Sequence, residues 1–571
     1  MKKWMVAAKK ADFNEIAKQF GISPITARLI RNRDIIGDEN IGLYLNGGIK
    51  DLHDPLLMKD MDKACGILTE KIRSGRKIRI IGDYDADGIM STFILVKGLK
   101  RLGVDVSWQI PDRMADGYGM NEAMIRKAAA DGCDTVITCD NGITAFDAVN
   151  LAETLGMTVI VTDHHNITYE EQEDGSRRYI LPDAAAVIDP KREDCAYPCR
   201  HLCGASVAWK LITALYDRFG AGFGEALEFI QYAAAATVTD VCELKGENRI
   251  IVREGLKMLQ NTGNTGLSAL IDITGIDRSR LDVYHIGFIL GPCINASGRL
   301  KDADLSLKLL LAEEKDDAEK IARQLVELNE SRKYMTVTGL EQAVKTIGDE
   351  SLSDDRILVV YLPGCHESLA GIIAGRLREK YSRPAFVLTD TAEGLKGSGR
   401  SVEAYSMYDG LVKTKDLLIR FGGHPMAAGV TLPKENLSAF RKKINEDCPL
   451  TLDEMADKLS IDMLLPLSYV SEELIREIDL LKPFGTGNER PAFALKDADI
   501  ITPSVVGARK NAVRMQIKDD RGTEMPGVYF GDAPEFCRQA SRTGKLSLVF
   551  YPDINSFHGV NSLQLKVTDY Q

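Results

Sequence analysis

Long apolar runs are missing from this chain of 571 residues, and no stretch approaches a membrane span. A secretory signal is missing too. Met1-Lys2-Lys3 is basic, but Trp4 to Ala8 is too short for an apolar core, and Lys9-Lys10 follows at once. The expectation is a cytoplasmic protein with no membrane association. Paired cysteines are lacking: the 11 present are an odd, scattered set, which argues for reduced thiols rather than a disulfide framework. Cys195, Cys199 and Cys203 lie near His201, but their spacing and the intervening Tyr197-Pro198 favour reduced thiols over a zinc site. There is no basic excess. A net charge of −11 does not advertise nucleic-acid binding, yet binding needs only a local basic groove. No tandem repeat or low-complexity tract is present, so the length divides into several different domains.

What is there is an alternation of short β-branched runs with amphipathic helices. Residues 1–75 read as a helical segment packed on the catalytic domain that follows. From Lys77 to about Asp240 the strands read as Ile78–Ile81, Val104–Ile110, Thr135–Thr138, Thr158–Thr162 and Ala185–Ile188. Such alternation predicts an α/β domain over 76–300 with a parallel sheet. Residues 301–345 read as a connecting helix. A second α/β domain over 346–451 has strands at Ile357–Tyr361 and Ala385–Leu388. Over 452–571 the pattern becomes short β runs with turns between them, as in a five-stranded OB barrel.

Two stretches carry the chemistry. Asp83-Tyr84-Asp85-Ala86-Asp87-Gly88 follows the strand ending at Ile81, and Asp163-His164-His165 follows the strand ending at Thr162. Asp140 follows a third strand, and Asp240 closes a helix. Open α/β sheets build their sites at the carboxyl ends of strands. In extended backbone Asp83, Asp85 and Asp87 would point the same way, an expensive arrangement without a cation. Each aspartate alone reads as a cap or turn former. Together with the histidine pair they predict a metal centre, and carboxylate oxygens with imidazole suit Mn²⁺ or Mg²⁺. Two ions about 4 Å apart would clamp a phosphate and activate a water, with Asp140 as bridging ligand.

These segments resemble the DHH phosphoesterase superfamily, and within it the RecJ-like single-strand-specific 5′-to-3′ exonucleases. The resemblance runs through Ala236-Thr237-Val238-Thr239-Asp240, Ile294-Asn295-Ala296-Ser297-Gly298-Arg299-Leu300, Gly397-Ser398-Gly399-Arg400, Gly422-Gly423-His424 and Pro483-Phe484-Gly485-Thr486-Gly487-Asn488-Glu489. It implies that Asp85, Asp87, Asp140, His164 and Asp240 ligate two Mn²⁺ or Mg²⁺ ions, with Asp83 and His165 beside them. Ile81 stands where many superfamily members carry a histidine, which removes one ligand, although RecJ-like members often share the apolar residue. The second domain is implied to be DHHA1-like.

Arg113 follows a strand, Arg299 reads as part of a Ser-Gly-Arg turn, and Ser398 and Arg400 as part of a Gly-Ser-Gly-Arg turn. Any one of these arginines alone reads as a surface ion pair. The resemblance makes the four residues a pocket for the strand's 5′-phosphate. It also brings His424 to the scissile phosphate and His366 to a nearby role. In the barrel, Arg509, Lys510 and Arg514 with Tyr529, Phe530 and Phe557 offer cations and rings for a single strand. The implied reaction is hydrolysis of single-stranded DNA to 5′-mononucleotides in recombination and repair. The implied partners are a helicase and a single-strand-binding protein, and the implied state is a monomer. Rival readings are an oligoribonuclease or cyclic-dinucleotide phosphodiesterase of the superfamily, and an inactive single-strand-binding relative.

Overall fold

The structure is a computed structural model that describes residues 2–172, 174–455, 458–557 and 560–571. The chain divides into two compact units, which are described separately. The larger holds Trp4–Gly298, Ala303–Arg323 and Ser460–Gln571; the smaller is built mainly from Gln324–Leu459, with Arg299–Asp302.

In the larger unit, five strands form a wholly parallel sheet: β1 (Ile78–Ile81), β2 (Val106–Gln109), β3 (Thr135–Cys139), β4 (Thr158–Thr162) and β5 (Ala186–Ile188). Their order is β2-β1-β3-β4-β5. β1 and β3 are buried along their whole length, as strands covered on both faces must be. The order reverses at β1, so the carboxyl ends of β1 and β3 flank a topological switch point, where open α/β sheets bind ligands. Helices α1 (Ala86–Arg101), α2 (Gly204–Phe219), α3 (Ile230–Thr239), α4 (Gly246–Gln260) and α5 (Gly291–Leu300) complete this domain.

The smaller unit has a sheet of β6 (Leu358–Tyr361), β7 (Ala385–Thr391), β8 (Gly394–Arg400), β9 (Arg420–His424) and β10 (Ala427–Leu432), in the order β9-β10-β8-β7-β6. Only β6 and β7 run parallel. The expected connecting helix is two helices, Asp304–Leu311 and the longer α6 (Lys315–Asp349). The residues between include Ala312 in extended backbone, which ends the first helix.

Five strands close the C-terminal barrel: β11 (Phe493–Val506), β12 (Ala512–Lys518), β13 (Glu524–Phe530), β14 (Lys545–Phe557) and β15 (Val560–Tyr570). β11 pairs with both β12 and β14, so the ring β11-β12-β13-β15-β14 has no open edge. This is an OB-type barrel.

The N-terminal segment divides its allegiance. Helix Met61–Arg73 packs on α2 of the catalytic domain. Residues 13–46 touch α4 of that domain but bury most of their apolar side chains elsewhere. Leu29, Ile30, Ile41 and Tyr44 belong to the same buried core as Leu465, Phe493, Phe536, Phe550 and Val567 of the barrel region. The junction is tied by polar groups as well. Ser23 caps helix Pro24–Asn32, and its hydroxyl and that of Thr26 both donate to Glu477. The Arg249 guanidinium of α4 lies 4.1 Å from the Tyr44 ring centroid and donates to the carbonyls of Tyr44, Leu481 and Leu480. Among the described residues, no helix is long and apolar enough to cross a membrane.

Candidate metal centre

The turn after β1 is built by its aspartates. Asp85 caps α1, accepting from the Gly88 amide at 3.1 Å, and Asp87 lies in the helix's first turn. The three aspartates are therefore not the extended, same-facing row expected from their alternation. They are fanned around a helix start, because capping draws Asp85 toward the helix's free N–H groups. Gly88 is required here, since a Cβ would fall 2.5 Å from the Asp83 carbonyl oxygen.

The fan meets residues from the neighbouring strands. Asp140 follows β3 in a left-handed conformation (φ 61°), which aspartate tolerates. Asn141 beside it donates to the carbonyls of Ile81 and Cys139, pinning the ends of β1 and β3 together. His164 Nε2 stands 2.9 Å from Asp140 Oδ1 and 3.5 Å from Asp87 Oδ2. Three triads of ligand atoms result among the described residues, each within 4.8 Å: Asp83, Asp85 and Asp140; Asp87, His164 and Asp240; and Asp140, His164 and His165, which shares a member with each of the other two. The short Asp140–His164 contact joins them.

Gly204 and Ala205, at the start of α2, donate their amides to the two Asp87 oxygens, each at 2.7 Å. A Cβ on Gly204 would sit 2.7 Å from the Asp140 Cβ. On α5, Asn295 Oδ1 accepts the Ala86 amide at 2.8 Å. Asp163 accepts the amides of Ile143, His164 and His165 and contacts His165 Nδ1 at 2.7 Å. Tyr118 bridges to the Asp140 carbonyl and to His165.

The electrostatics show what the cluster needs. Burial, together with the Asp85 charge, holds the Asp83 carboxyl well above its usual range. Burial and neighbouring aspartates do the same to Asp140. Burial, with the Asp240 and Asp85 charges, pushes Asp87 up to about 6. Asp83 Oδ1 is buried with no hydrogen-bond partner. Burial holds His164 below the usual imidazole range, so it is neutral and has a lone pair to offer. Burial opposes charge on His165 too, but the Asp163 hydrogen bond prevails and lifts it to about 9. Crowded carboxylates, an orphaned oxygen and a neutral imidazole fit a divalent cation that prefers oxygen with some nitrogen.

Asp189 was not among the sequence candidates. It follows β5 as Asp140 follows β3, lies fully buried near Asp163, and burial raises its carboxyl to about 8. The signal, an acid directly after a buried strand, was the one already in use.

A pH dependence follows. In the metal-free protein these carboxyls keep protons that the unfolded chain has lost by about pH 4. Stability should therefore fall as pH rises from about 4 through 6 and 8, the raised values of Asp87 and Asp189. His165 acts in the same direction, its contribution disappearing as pH rises through about 9. Added Mn²⁺ should offset this loss, since it binds the deprotonated ligands. Thermal melts across this range, with EDTA and with Mn²⁺, provide the check. A metal-free melting temperature that climbs from acid to alkaline pH would contradict the assignment.

In the smaller unit, Ser398 and Arg400 lie on β8 rather than in a turn, on the face shared with Lys396. Its glycines serve close packing: a Cβ on Gly397 would meet the Val387 carbonyl oxygen at 2.1 Å, and one on Gly399 the Met407 sulfur at 2.4 Å. A Cβ on Gly371, in helix α7 (Glu367–Tyr381), would lie 2.8 Å from the Arg400 guanidinium and 3.3 Å from the Ser398 Cβ. His366 caps the same helix and bonds the Ser368 hydroxyl. Arg299 lies on α5, also not in a turn, and donates to the Ser368 carbonyl at 2.9 Å. The structure thus gathers Arg299, His366, Ser398 and Arg400 about the start of α7. His424 pairs with Ala427, which pairs with Arg400, so both flank one residue of β10. Arg113 belongs to the larger unit, where its guanidinium lies 4.8 Å from the Tyr84 ring centroid.

On the barrel, Arg509, Lys510 and Arg514 are exposed, and Phe530 is 62% exposed opposite Ala512. Tyr529 is not available for stacking: it packs on Phe536 and Tyr570. The Phe557 side chain lies outside the described residues. Cys195, Cys199 and Cys203 do not gather into a metal-binding group among the described residues; Cys195 accepts the Lys59 amide, and Cys203 contacts Ser206 and Thr237.

The family described as the DHH family, N-terminal domain, matches residues 77–238, which hold every ligand candidate except Asp240. The DHHA1 domain matches residues 354–448 and the RecJ OB domain residues 461–569. These matches and the sheet-end carboxylate–histidine cluster define a DHH-type metal-dependent phosphoesterase. The single-stranded-DNA-specific exonuclease RecJ of Bacillus subtilis is 33% identical over 99% of this chain and 70% of its own length. The enzyme of the same description from Salmonella typhimurium is 31% identical over 96% of both. The crystal structure of Thermus thermophilus RecJ in complex with Mn²⁺ superposes with a TM-score of 0.83 at 26% identity, covering 100% of this chain and 79% of that one. The chain belongs to the RecJ family.

Proposed function

We propose that the protein is a metal-dependent exonuclease that degrades single-stranded DNA from the 5′ end, releasing 5′-mononucleotides in recombination and repair. The pair of triads joined through Asp140 and His164 at the switch point carries this reading. Asp83, Asp85 and Asp140 would hold one Mn²⁺ or Mg²⁺, and Asp87, His164 and Asp240 a second, with Asp140 facing both. Held by these residues, the ions would supply an acidified water and offset negative charge on the phosphoryl and leaving oxygens in the transition state.

The protein's own groups do the rest. Asp163 keeps His165 charged at neutral pH, so its ring can donate to a phosphate oxygen. Arg113, Arg299, Ser398 and Arg400 bind the terminal 5′-phosphate, with His366 supporting Ser368 beside them and His424 at the scissile group. Arginine forks suit phosphate oxygens. Water adds to phosphorus, the bond to the 3′-oxygen breaks, and that oxygen leaves as a hydroxyl after taking a proton. The shortened strand ends in a new 5′-phosphate, which fits the same pocket. Arg509, Lys510, Arg514 and Phe530 hold the strand farther along. The family resemblance further suggests a cytoplasmic monomer that works with a helicase and a single-strand-binding protein.

A 5′-phosphorylated strand should be cut faster than its 5′-hydroxyl counterpart. Arg400→Ala should shrink that preference about tenfold while lowering activity on the hydroxyl strand less, the loss expected for one charge-assisted contact of about 1.5 kcal/mol. End-labelled strands and their duplexes, incubated with Mn²⁺, Mg²⁺ or EDTA, provide the measurement. Mononucleotides released first from the 3′ end, or turnover in EDTA, would refute the reading.

A further inference from the structure

Tyr284 and Phe288 are 59% and 66% exposed. They stack on each other with centroids 5.1 Å apart and planes 27° from parallel. They bracket the start of a π-helical turn, Ile286–Leu290, whose Ile286 and Leu290 are buried. Such turns are rare and concentrate at functional sites. Asp282 anchors the entry, accepting from the His285 amide and contacting its ring nitrogen at 2.6 Å.

The turn runs directly into α5, and α5 touches both metal-bearing segments. A Cβ on Gly291 would fall 2.3 Å from Thr239 Cγ2, one residue before Asp240. One helical turn on, Asn295 accepts the Ala86 amide between Asp85 and Asp87. Val241, directly after Asp240, is 64% exposed and adopts a left-handed conformation (φ 58°) that β-branched residues avoid. The exposed aromatic pair thus sits on the element whose continuation, α5, packs against both metal-bearing segments. Arg299, near the far end of α5, is the one phosphate-handling residue on this element.

We propose that Tyr284 and Phe288 form a platform on which one nucleobase of the single strand stacks while the strand's end occupies the metal centre. The proposal rests on the nuclease reading. A base is the occupant the geometry favours, because two exposed, stacked rings lie on the element that leads into α5, which packs on the segments bearing the metal centre. Every base has a π-face, so the platform would hold any sequence.

The test uses the full-length chain carrying Asp140→Asn, which keeps the strand intact, with Tyr284→Ala/Phe288→Ala added or omitted. Binding of a 5′-phosphorylated 20-mer (a length chosen to be roughly that of one or two OB-fold sites) is measured by anisotropy in Mn²⁺. A series of strands with one abasic nucleotide moved stepwise from the 5′ end is measured beside it. The aromatic double variant should bind the intact strand about tenfold more weakly, the loss of one base–ring stack. In the Asp140→Asn parent, one abasic position should weaken binding by a similar factor, and that same position should be silent in the double variant. Tyr284→Phe/Phe288→Tyr, which keeps both rings, should behave as the parent. Equal binding by the double variant, or an unchanged abasic profile, would overturn the platform and leave the pair to a protein partner. Failure of the nuclease reading would show separately, as wild-type protein that does not hydrolyse the strand.

Discussion

Asp140→Asn should reduce hydrolysis by roughly three orders of magnitude or more, a loss of about 4 kcal/mol of transition-state stabilisation, while raising the melting temperature of the metal-free protein. The two effects have one cause. Asp140 is buried against Asp87, Asp85 and Asp83, whose charges repel its own. Asparagine keeps the shape and tolerates φ 61° at that position. It removes the charge that the Asp83–Asp85–Asp140 triad needs and that the metal-free cluster resists. With Mn²⁺ added the order should invert: wild type gains stability by binding the ion, and the variant gains little. Melts with EDTA and with Mn²⁺, alongside single-strand hydrolysis, measure both. Comparable turnover in the variant would remove Asp140 from the centre, and a lower metal-free melting temperature would deny the charge crowding.

Deleting residues 460–571 should cost the fold, and with it activity on short strands as well as long ones. The barrel does more than offer Arg509, Lys510 and Arg514 to DNA. It completes the core around Leu29, Ile30, Ile41 and Tyr44, which would otherwise face water. The segment leading into it also braces the catalytic domain. The Leu244 amide donates to the Thr486 carbonyl at 2.8 Å, four residues beyond Asp240. A Cβ on Gly485 would meet the Leu244 side chain at 2.7 Å. Arg249→Met is the gentler probe, since it leaves buried carbonyls of Tyr44, Leu480 and Leu481 without their donor. Each such loss costs about 1–3 kcal/mol, so the full-length variant should melt several degrees lower. Soluble expression, circular dichroism and turnover across strand lengths decide the matter. A well-folded deletion with full activity on short strands would reject the brace.

The metal centre was legible because its signals are local. Asp83, Asp140 and Asp163 each follow a buried β-branched run, and a parallel sheet brings such ends to one edge. Local signals also misled where a residue had two uses. Glycine in Gly397-Ser398-Gly399-Arg400 suggested a turn, but there it makes room for Val387 and Met407 on a strand. Gly298, read the same way, lets α5 approach the Tyr84 carbonyl, so Arg299 ends a helix. The alternation of Asp83, Asp85 and Asp87 suggested extended backbone, but helix capping took precedence. The union of residues 13–46 with the barrel left no local trace, since apolar residues at helical spacing do not state which surface they meet. The gathering of Arg299, Ser398 and Arg400 around α7 was likewise carried by resemblance, not by any pattern in the residues themselves.

That union sets a timetable for synthesis. Trp4 donates to Asp569, a partner 565 residues away. At about 5–20 residues per second, a ribosome needs roughly half a minute to two minutes to deliver the second after the first. For most of that interval Leu29, Ile30 and Tyr44 lack the barrel residues they pack on, although the strands of the parallel sheet have all been made once Ile188 is added. The helices within residues 13–46 are thus secured only after the much later barrel residues that complete their core have been made. A message broken before the codons for the barrel would release a chain with its metal-binding sheet made and an uncovered apolar flank, the kind of surface that chaperones and proteases remove.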